Sequence, residues 1–386
     1  RVRDRWYVWS KGTRLWELKT PDQIKKHFKI QVKKRFLEFE VTDPSLKKKV
    51  NKLRKKICDR PKDFISAWAE TLEKEDDQRP LQDEHRKSSH EVPIRGGKII
   101  DLDTCVVRLR TPEDFWTDEL DVDYVPNSPL RQEMFLYLDS LCDGDPVLFE
   151  YLVRVLGTCL IREHCDTLFV FWGPTLNGKS LLMDVVHNIL QVAGFSIERN
   201  SVVLFDKKVT KGEIREMLPK RLVYVDESNR GRELNAAKFK KITGGARMNI
   251  VDRRTTEYNR GNTSTIFHGT LILMSNHLPL FDYNDEALRH RVTVIPFRRT
   301  FAKDNEFKKK MHTSESKDAL FTLMCDGARD ALRHPSFHNE VHPELHPGDC
   351  PNHPVYKATV EAMEYCQNSE SWKPKNRGSP LKKDVR

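Results

Sequence analysis

The stretch Leu168–Ile189, LFVFWGPTLNGKSLLMDVVHNI, constrains the fold more than any other part of the chain. A continuous apolar run leads into a loop with two glycines, then a lysine, a serine and a helical pattern. A short apolar run closed by glycine reads as a strand buried on both faces. The loop fits G-x-x-x-x-G-K-[ST] with Gly173, Gly178, Lys179 and Ser180. Glycines at those positions let backbone N–H groups turn toward phosphate oxygens, and a helix starting at Lys179 adds its positive N-terminal end. Gly173, Pro174, Thr175, Leu176, Asn177, Gly178, Lys179, Ser180 and Leu181 are therefore the candidate ATP-binding segment. Lys179 would reach the β- and γ-phosphates, and Ser180 would hold Mg²⁺.

Two further strands complete this pattern. RLVYVDES (221–228) is an apolar run ending in two acids, 47 residues after Lys179. Asp226 would bind Mg²⁺ through water, and Glu227 would polarise an attacking water. An Asp-Glu pair after a strand is also a common surface turn, so its weight comes from its distance to the phosphate loop. TLILMSN (270–276) is the other strand; Asn276 could orient water and sense the γ-phosphate, or simply open the turn NHLP. Arg291 follows 15 residues later. It could reach a neighbouring subunit's γ-phosphate, or pair locally with Asp285 or Glu286.

Around this centre the chain changes character. RWYVW and RLWEL, joined by SKGT, read as a β-hairpin whose aromatics pack in a core or stack on bases. Helical, basic sequence follows from Pro21 to about Glu75. From Arg1 to Arg60 there are 20 Lys or Arg against 7 Asp or Glu, so the net charge of +10 resides wholly in this block. That suggests a polyanionic partner, or a solvated helical face. EDDQRPLQDEHRKSSHE (75–91) reads as a linker, and VPIRGGKIIDLDTCVVRLR as short strands around a Gly-Gly turn. LRQEMFLYLDSLC and VLFEYLVRVLGTCLIREH carry helical periodicity ahead of the loop, with Cys159 and Cys165 as core positions. From Leu168 to Phe297, short strands alternate with helical stretches, the rhythm of an α/β domain. A mixed helical tail follows and ends in SWKPKNRGSPLKKDVR, expected to be flexible. Eight cysteines without a CxxC pair fit a reducing compartment. No run approaches a membrane span, and the first residue, Arg1, suggests a piece of a longer polypeptide.

At these residues the chain resembles superfamily 3 helicases, and within them the primase–helicases of poxviruses, other large DNA viruses, phages and plasmids. GPTLNGKS is similar to that family's phosphate loop and VYVDES to its acidic strand. FKKITGGARMNIVDRR resembles its Thr-Gly-Gly segment, LILMSNHLP its sensor strand, and DEALRHRVTVIPFRRTF its arginine-finger segment. Upstream, IRGGKIIDLDT and FWTDELDVDYVP resemble the domain that precedes the motor. The resemblance implies an AAA+-type ring, usually a hexamer, that hydrolyses ATP between subunits and moves along single-stranded DNA, typically 3′ to 5′. It gives Lys179, Ser180, Asp226, Glu227 and Asn276 the roles above. It makes Arg291 the first choice of finger and Arg289 the second, because His290 departs from the Arg common before the finger. It also implies a pore hairpin over 247–266, where Arg253, Arg254 and Arg260 could contact phosphates and Tyr258 could stack on a base, or the arginines could pair between subunits.

The expected architecture is an α/β chain in four parts. A basic, mixed α/β accessory domain (1–127) and a helical collar (128–166) precede an AAA+-type P-loop motor (167–301). A mainly helical region with a flexible tail (302–386) follows. The expected function is an ATP- and Mg²⁺-dependent, ring-forming helicase acting on single-stranded or forked DNA inside the infected cell. A primase domain, if the full protein has one, would precede Arg1. The rivals are a P-loop loader or packaging motor, and a DNA-binding scaffold that nucleotide only assembles. Two constellations carry less. Asp101 and Asp103 form a DxD that reads as a turn after a strand rather than a metal site. His334, His338, His342, His346, Cys350 and His353 have metal-like spacing, but Pro335, Pro343 and Pro347 break the helix that spacing needs.

Overall fold

In a computed structural model of the protein, residues 6–38, 43–59, 89–199, 202–205, 213, 216–227, 232–245, 248–251, 262–281 and 285–334 are described. Contacts divide the chain into two units. The first comprises Arg1–Ser88, Gly96–Ile99 and Arg108–Glu119; the second comprises Ser89–Arg95, Ile100–Val107 and Leu120–Arg386.

In the first unit, β1 (Trp6–Ser10) and β2 (Leu15–Lys19) form the expected antiparallel hairpin, with Trp9 opposite Trp16. These aromatics pack. Trp16 meets Trp9 at 5.9 Å and stacks on Phe115 at 6.3 Å, and its indole N–H donates to Pro112 O (2.8 Å). Trp16 is half-buried, and a partly buried indole finds an acceptor because an unpaired N–H shielded from water is costly. Arg110 is fully buried in the same unit and pairs with Glu119. The basic block forms α1 (Pro21–Glu38) and α2 (Pro44–Asp59). The expected linker overruns into β3, which Glu91 opens; the rest of the linker before Ser89, the end of the helical stretch and the expected flexible tail lie outside the described residues.

The chain next makes β3 (Glu91–Ile94), β4 (Lys98–Asp101) and β5 (Val107–Leu109). Gly96 (φ +78°) and Gly97 (φ +72°) form the turn after β3, in a backbone region that glycine enters without strain. The DxD motif separates into two unrelated contacts. Asp101 accepts from Thr104 N and Oγ1 and closes a turn, whereas Asp103 meets His90.

Two helices precede the phosphate loop. Helix α3 (Pro129–Leu141) starts with Ser128 accepting from Leu130 N, and α4 (Pro146–Thr158) starts with Asp145 accepting from Val147 N and Leu148 N. Proline is the first residue of both, where its missing N–H costs nothing. The periodicity of VLFEYLVRVLGTCLIREH suggests a helix reaching His164, but α4 ends at Thr158. The residues beyond are used otherwise: Leu160 O accepts from buried Arg221, and Arg162 N donates to Ser89 O. Cys159 and Cys165 are buried as expected, and burial raises both thiol pKa values, that of Cys165 to about 12.

The remaining strands of this unit build a five-stranded parallel sheet. They are β6 (Leu168–Trp172), β7 (Ser196–Arg199), β8 (Leu222–Glu227), and, after a separate β9 (Met248–Val251) and β10 (Asn262–Thr265), β11 (Thr270–Ser275) and β12 (Val292–Pro296). The sheet order is β12-β6-β11-β8-β7. Strand β6 is covered on both faces. Leu168 and Val170 join the main core, while Phe169 meets Tyr151 and Phe171 meets Phe297. This explains why LFVFW shows no polar alternation. Helix α5 (Lys179–Gln191) leaves β6, α6 (Val202–Phe205) follows β7, α7 (Ala236–Thr243) follows β8, and α8 (Glu286–Arg289) precedes β12. Helices α9 (Asn305–Met311) and α10 (Ser314–Arg333) come last. Helix α10 packs on α3 and α4, so the helices before and after the sheet share one bundle. Gly157 and Gly327 make this approach possible. A Cβ at Gly157 would lie 2.1 Å from Ala328 N, and one at Gly327 would lie 2.0 Å from Val153 O. Among the described residues no helix is long and apolar enough to cross a membrane.

Candidate functional site

Ligands in open α/β sheets bind beyond the carboxyl ends of the strands, where the order reverses. Here the chain leaves β6 for the far edge at β7, returns through β8 to β11 beside β6, and finishes with β12 on the other side of β6. The carboxyl ends of β6, β11 and β8 carry Gly173, Asn276 and Asp226–Glu227 respectively. Strands far apart in sequence thus bring the three candidate motifs to one sheet edge.

The loop between β6 and α5 is held from beneath. Gly173 N donates to Ser275 O (3.3 Å), and Phe301 N donates to Leu176 O (2.7 Å). Asn177 is buried, and its amide donates to Phe297 O (3.1 Å). Neither glycine admits a side chain. A Cβ at Gly173 would lie 2.1 Å from Phe297 O, and one at Gly178 (φ +83°) would lie 2.6 Å from Leu141 Cδ2 on α3. Tyr137, one helical turn before Leu141, donates its phenol O–H to Gly178 O (3.4 Å), and burial pushes its pKa up. Gly178, the residue before α5, has no side chain to cap the helix, and Lys179 N, its first N–H, donates to Asn177 Oδ1 (3.4 Å).

Lys179 is buried and donates to Gly173 O (3.0 Å), Pro174 O (3.1 Å), Asn177 Oδ1 (3.3 Å) and Asn276 Oδ1 (2.6 Å). Burial lowers its pKa from the ordinary lysine value, and the charge of Asp226 opposes that shift. The ammonium therefore sits in a ring of neutral oxygens, poised to exchange them for anionic ones. Pro174, Thr175, Leu176, Ser180 and Asp226 are exposed around this point, and Leu181 is half-buried. The residues fit a magnesium-bound nucleotide: a cradle that excludes side chains, a helix N-terminus, one buried cation, and a hydroxyl and a carboxylate as hard oxygen donors. Glu227 ends β8 next to Asp226.

Arg291 lies at the opposite edge. Its carbonyl accepts from Leu168 N (2.7 Å), at the first residue of β6, while the phosphate loop begins after the last. Five residues at about 3.3 Å each put some 16 Å between the two ends. Asp285, considered above as an ion-pair partner for Arg291, pairs with Lys240 instead. Arg289 is the last residue of α8. Thr243, Gly244 and Gly245 close α7. Thr243 is fully buried with Oγ1 donating to Phe239 O (2.9 Å), Gly244 N donates to Lys240 O (2.8 Å), and Gly245 has φ +63°. This is a helix stop of the kind glycine favours. Strands β9 and β10 then pair antiparallel over Met248–Val251 and Asn262–Thr265. Arg253, Arg254, Tyr258 and Arg260 lie outside the described residues, as do all members of the histidine-rich group except His334. Among the described residues no cluster of three or more His, Cys, Asp or Glu could hold a metal.

The sequence reading missed the support beneath the loop. Tyr137 on α3, and Phe297 and Phe301 after β12, contact it from far away in sequence. The segment DEALRHRVTVIPFRRTF, which contains Phe297 and Phe301, was the available signal for the last two.

No family model matches the chain. It is similar to the C-terminal region of NrS-1 in a solved apo structure, with a TM-score of 0.43 and 16% identity, over 71% of this chain and 58% of that one. It is 29% identical over 178 residues to Primase D5 of Fowlpox virus (strain NVSL), covering 43% of this chain and 20% of that protein. It is 25% identical over 219 residues to Putative helicase 184R of Invertebrate iridescent virus 6, covering 53% and 22%. The chain thus spans about a fifth of the length of these relatives. The sequence matches bear out the resemblance first read from the motifs: over about half its length this chain is homologous to poxvirus Primase D5 and to putative helicases of other large DNA viruses.

Proposed function

We propose that this chain is the motor portion of an ATP- and Mg²⁺-dependent, ring-forming DNA helicase from a viral or phage-type replication protein. The observation that carries the reading is the 2.6 Å hydrogen bond from Lys179 to Asn276, which joins the phosphate loop to the sensor strand at one sheet edge. The interposition of β11 between β6 and β8 supports an AAA+-type motor, because it separates the acidic strand from the loop by one strand width. Bound MgATP supplies a phosphoanhydride whose γ-phosphoryl group can pass to water. Lys179 and the first N–H groups of α5 bind the phosphates, and Ser180 and Asp226 hold the metal. Glu227 accepts a proton from the attacking water, and Asn276 orients that water.

Arg291, with Arg289 as second choice, acts on the site of a neighbouring subunit. The distance between the two sheet edges supports this, since no arginine side chain spans it within one chain. A closed ring, by resemblance a hexamer, gives every site such a neighbour. Arg253, Arg254, Tyr258 and Arg260, framed by β9 and β10, contact single-stranded DNA and move it, by resemblance 3′ to 5′. The basic α1 and α2 add a second polyanion-binding surface. The chain works inside the infected cell at sites of DNA replication. Strand separation on forked DNA, compared between the native protein and Lys179→Ala, tests this reading.

A further inference from the structure

Helix α7 holds the Asp285–Arg291 segment at both ends. At the start, Asp285 Oδ1 accepts from Leu288 N (3.3 Å) and caps α8, while Oδ2 receives the Nζ of Lys240 from α7. In the middle, Leu288 is fully buried. At the end, Arg291 N donates to Leu288 O (3.0 Å), and Arg291 O accepts from Leu168 N (2.7 Å). The guanidinium then lies beside Gly244. A Cβ placed there would be 3.5 Å from Arg291 Nη1 and only 2.4 Å from Lys240 O. Gly244 closes α7, and Gly245 turns the chain toward β9, the first strand of the hairpin that frames the candidate DNA contacts.

We propose that the Lys240–Gly245 turn is a positioning element for Arg291. Lys240 fixes the α8 segment through Asp285. Gly244, whose lack of a Cβ lets α7 close on Lys240 O, lies against the guanidinium. This inference rests on the reading of Arg291 as a finger acting between subunits.

The test uses the assembled full chain and measures kcat and KM for ATP hydrolysis with and without single-stranded DNA. The variants are Lys240→Met, Lys240→Arg, Arg291→Ala and the double Lys240→Met/Arg291→Ala. Lys240 is partly exposed, so its replacement leaves the core untouched. Lys240→Met is expected to lower the DNA-stimulated kcat by about tenfold, because small displacements of a catalytic group cost that much or more, while KM stays within about twofold. Lys240→Arg retains the charge and the rate. In the Arg291→Ala background, Lys240→Met has no further effect, since its route to the reaction is already gone. An unchanged rate in Lys240→Met alongside a slow Arg291→Ala would overturn this inference alone. So would a further loss in the double variant, which would show that Lys240 acts independently of the finger. A fully active Arg291→Ala would instead remove the finger reading on which both rest.

Discussion

Mixing two inactive variants tests the arrangement between subunits most sharply. Lys179→Ala removes the phosphate-binding ammonium, and Arg291→Ala removes the finger. Each alone is expected to lose ATP hydrolysis, the second by about 10³-fold or more, the scale of a lost arginine finger. The two residues lie at opposite ends of β6, with Arg291 bonded to Leu168 and the phosphate loop beginning past Trp172. On the proposed reading, a single chain does not complete its own site. In a randomly mixed ring at equal proportions, a site works when its own subunit keeps Lys179 and the adjoining one keeps Arg291. Each condition holds for half the subunits, so about one quarter of the sites regain activity. The assay is steady-state ATP hydrolysis across mixing ratios, which should rise from near zero at either end to a maximum at equal mixing. A flat, inactive profile from a mixture shown to co-assemble would refute the argument, as would substantial activity in Arg291→Ala alone.

Two other outcomes follow from the fold and the charge network. Gly157→Val drives a side chain into the backbone of Ala328, 2.1 Å from its first added atom, and should cost about 3 kcal/mol or more in denaturant unfolding. A loss below about 0.5 kcal/mol would mean that α4 and α10 are not packed as described. His90 contacts Asp103 (2.8 Å) and Glu163 (2.7 Å); burial lowers its pKa, but the hydrogen bonds and charges of the two carboxylates outweigh this and raise it above 6.5. Its stabilisation is therefore complete below about pH 6.5 and is lost as pH rises through the folded-state value. The effect is about 1 kcal/mol or less, because both carboxylates are half-exposed. Thermal melting between about pH 6 and 9 should show a decline that His90→Gln removes, and equal pH slopes in the two proteins would contradict this assignment.

The parts legible in the sequence are those set by local chemistry. The β1–β2 hairpin, the β6–loop–α5 unit and the strands ending at Glu227 and Ser275 all announce themselves through periodicity, glycine and terminal polar residues. The candidate site was legible for the same reason, since each of its parts ends a strand. Strand order was not, because no local pattern says that β11 enters between β6 and β8. Nor was the end of α4, whose helical pattern outlasts the helix once Leu160 and Arg162 are drawn to Arg221 and Ser89. The pairing of Asp285 with Lys240 rather than Arg291 is also a tertiary outcome. Lys240 lies 45 residues away and reaches Asp285 only because α7 packs on α8. Asn177 shows the intermediate case. Its place in the loop was evident from the motif, but its buried bond to Phe297 O required β12 to lie beside β6.

The central claim is tested most directly by ATP-dependent strand separation on forked DNA carrying a single 3′ or 5′ tail. The account predicts unwinding of the 3′-tailed fork by the assembled native protein and none by Lys179→Ala. An assembled ring that hydrolyses ATP in response to DNA yet separates neither fork would contradict it, and would favour a loader or packaging motor.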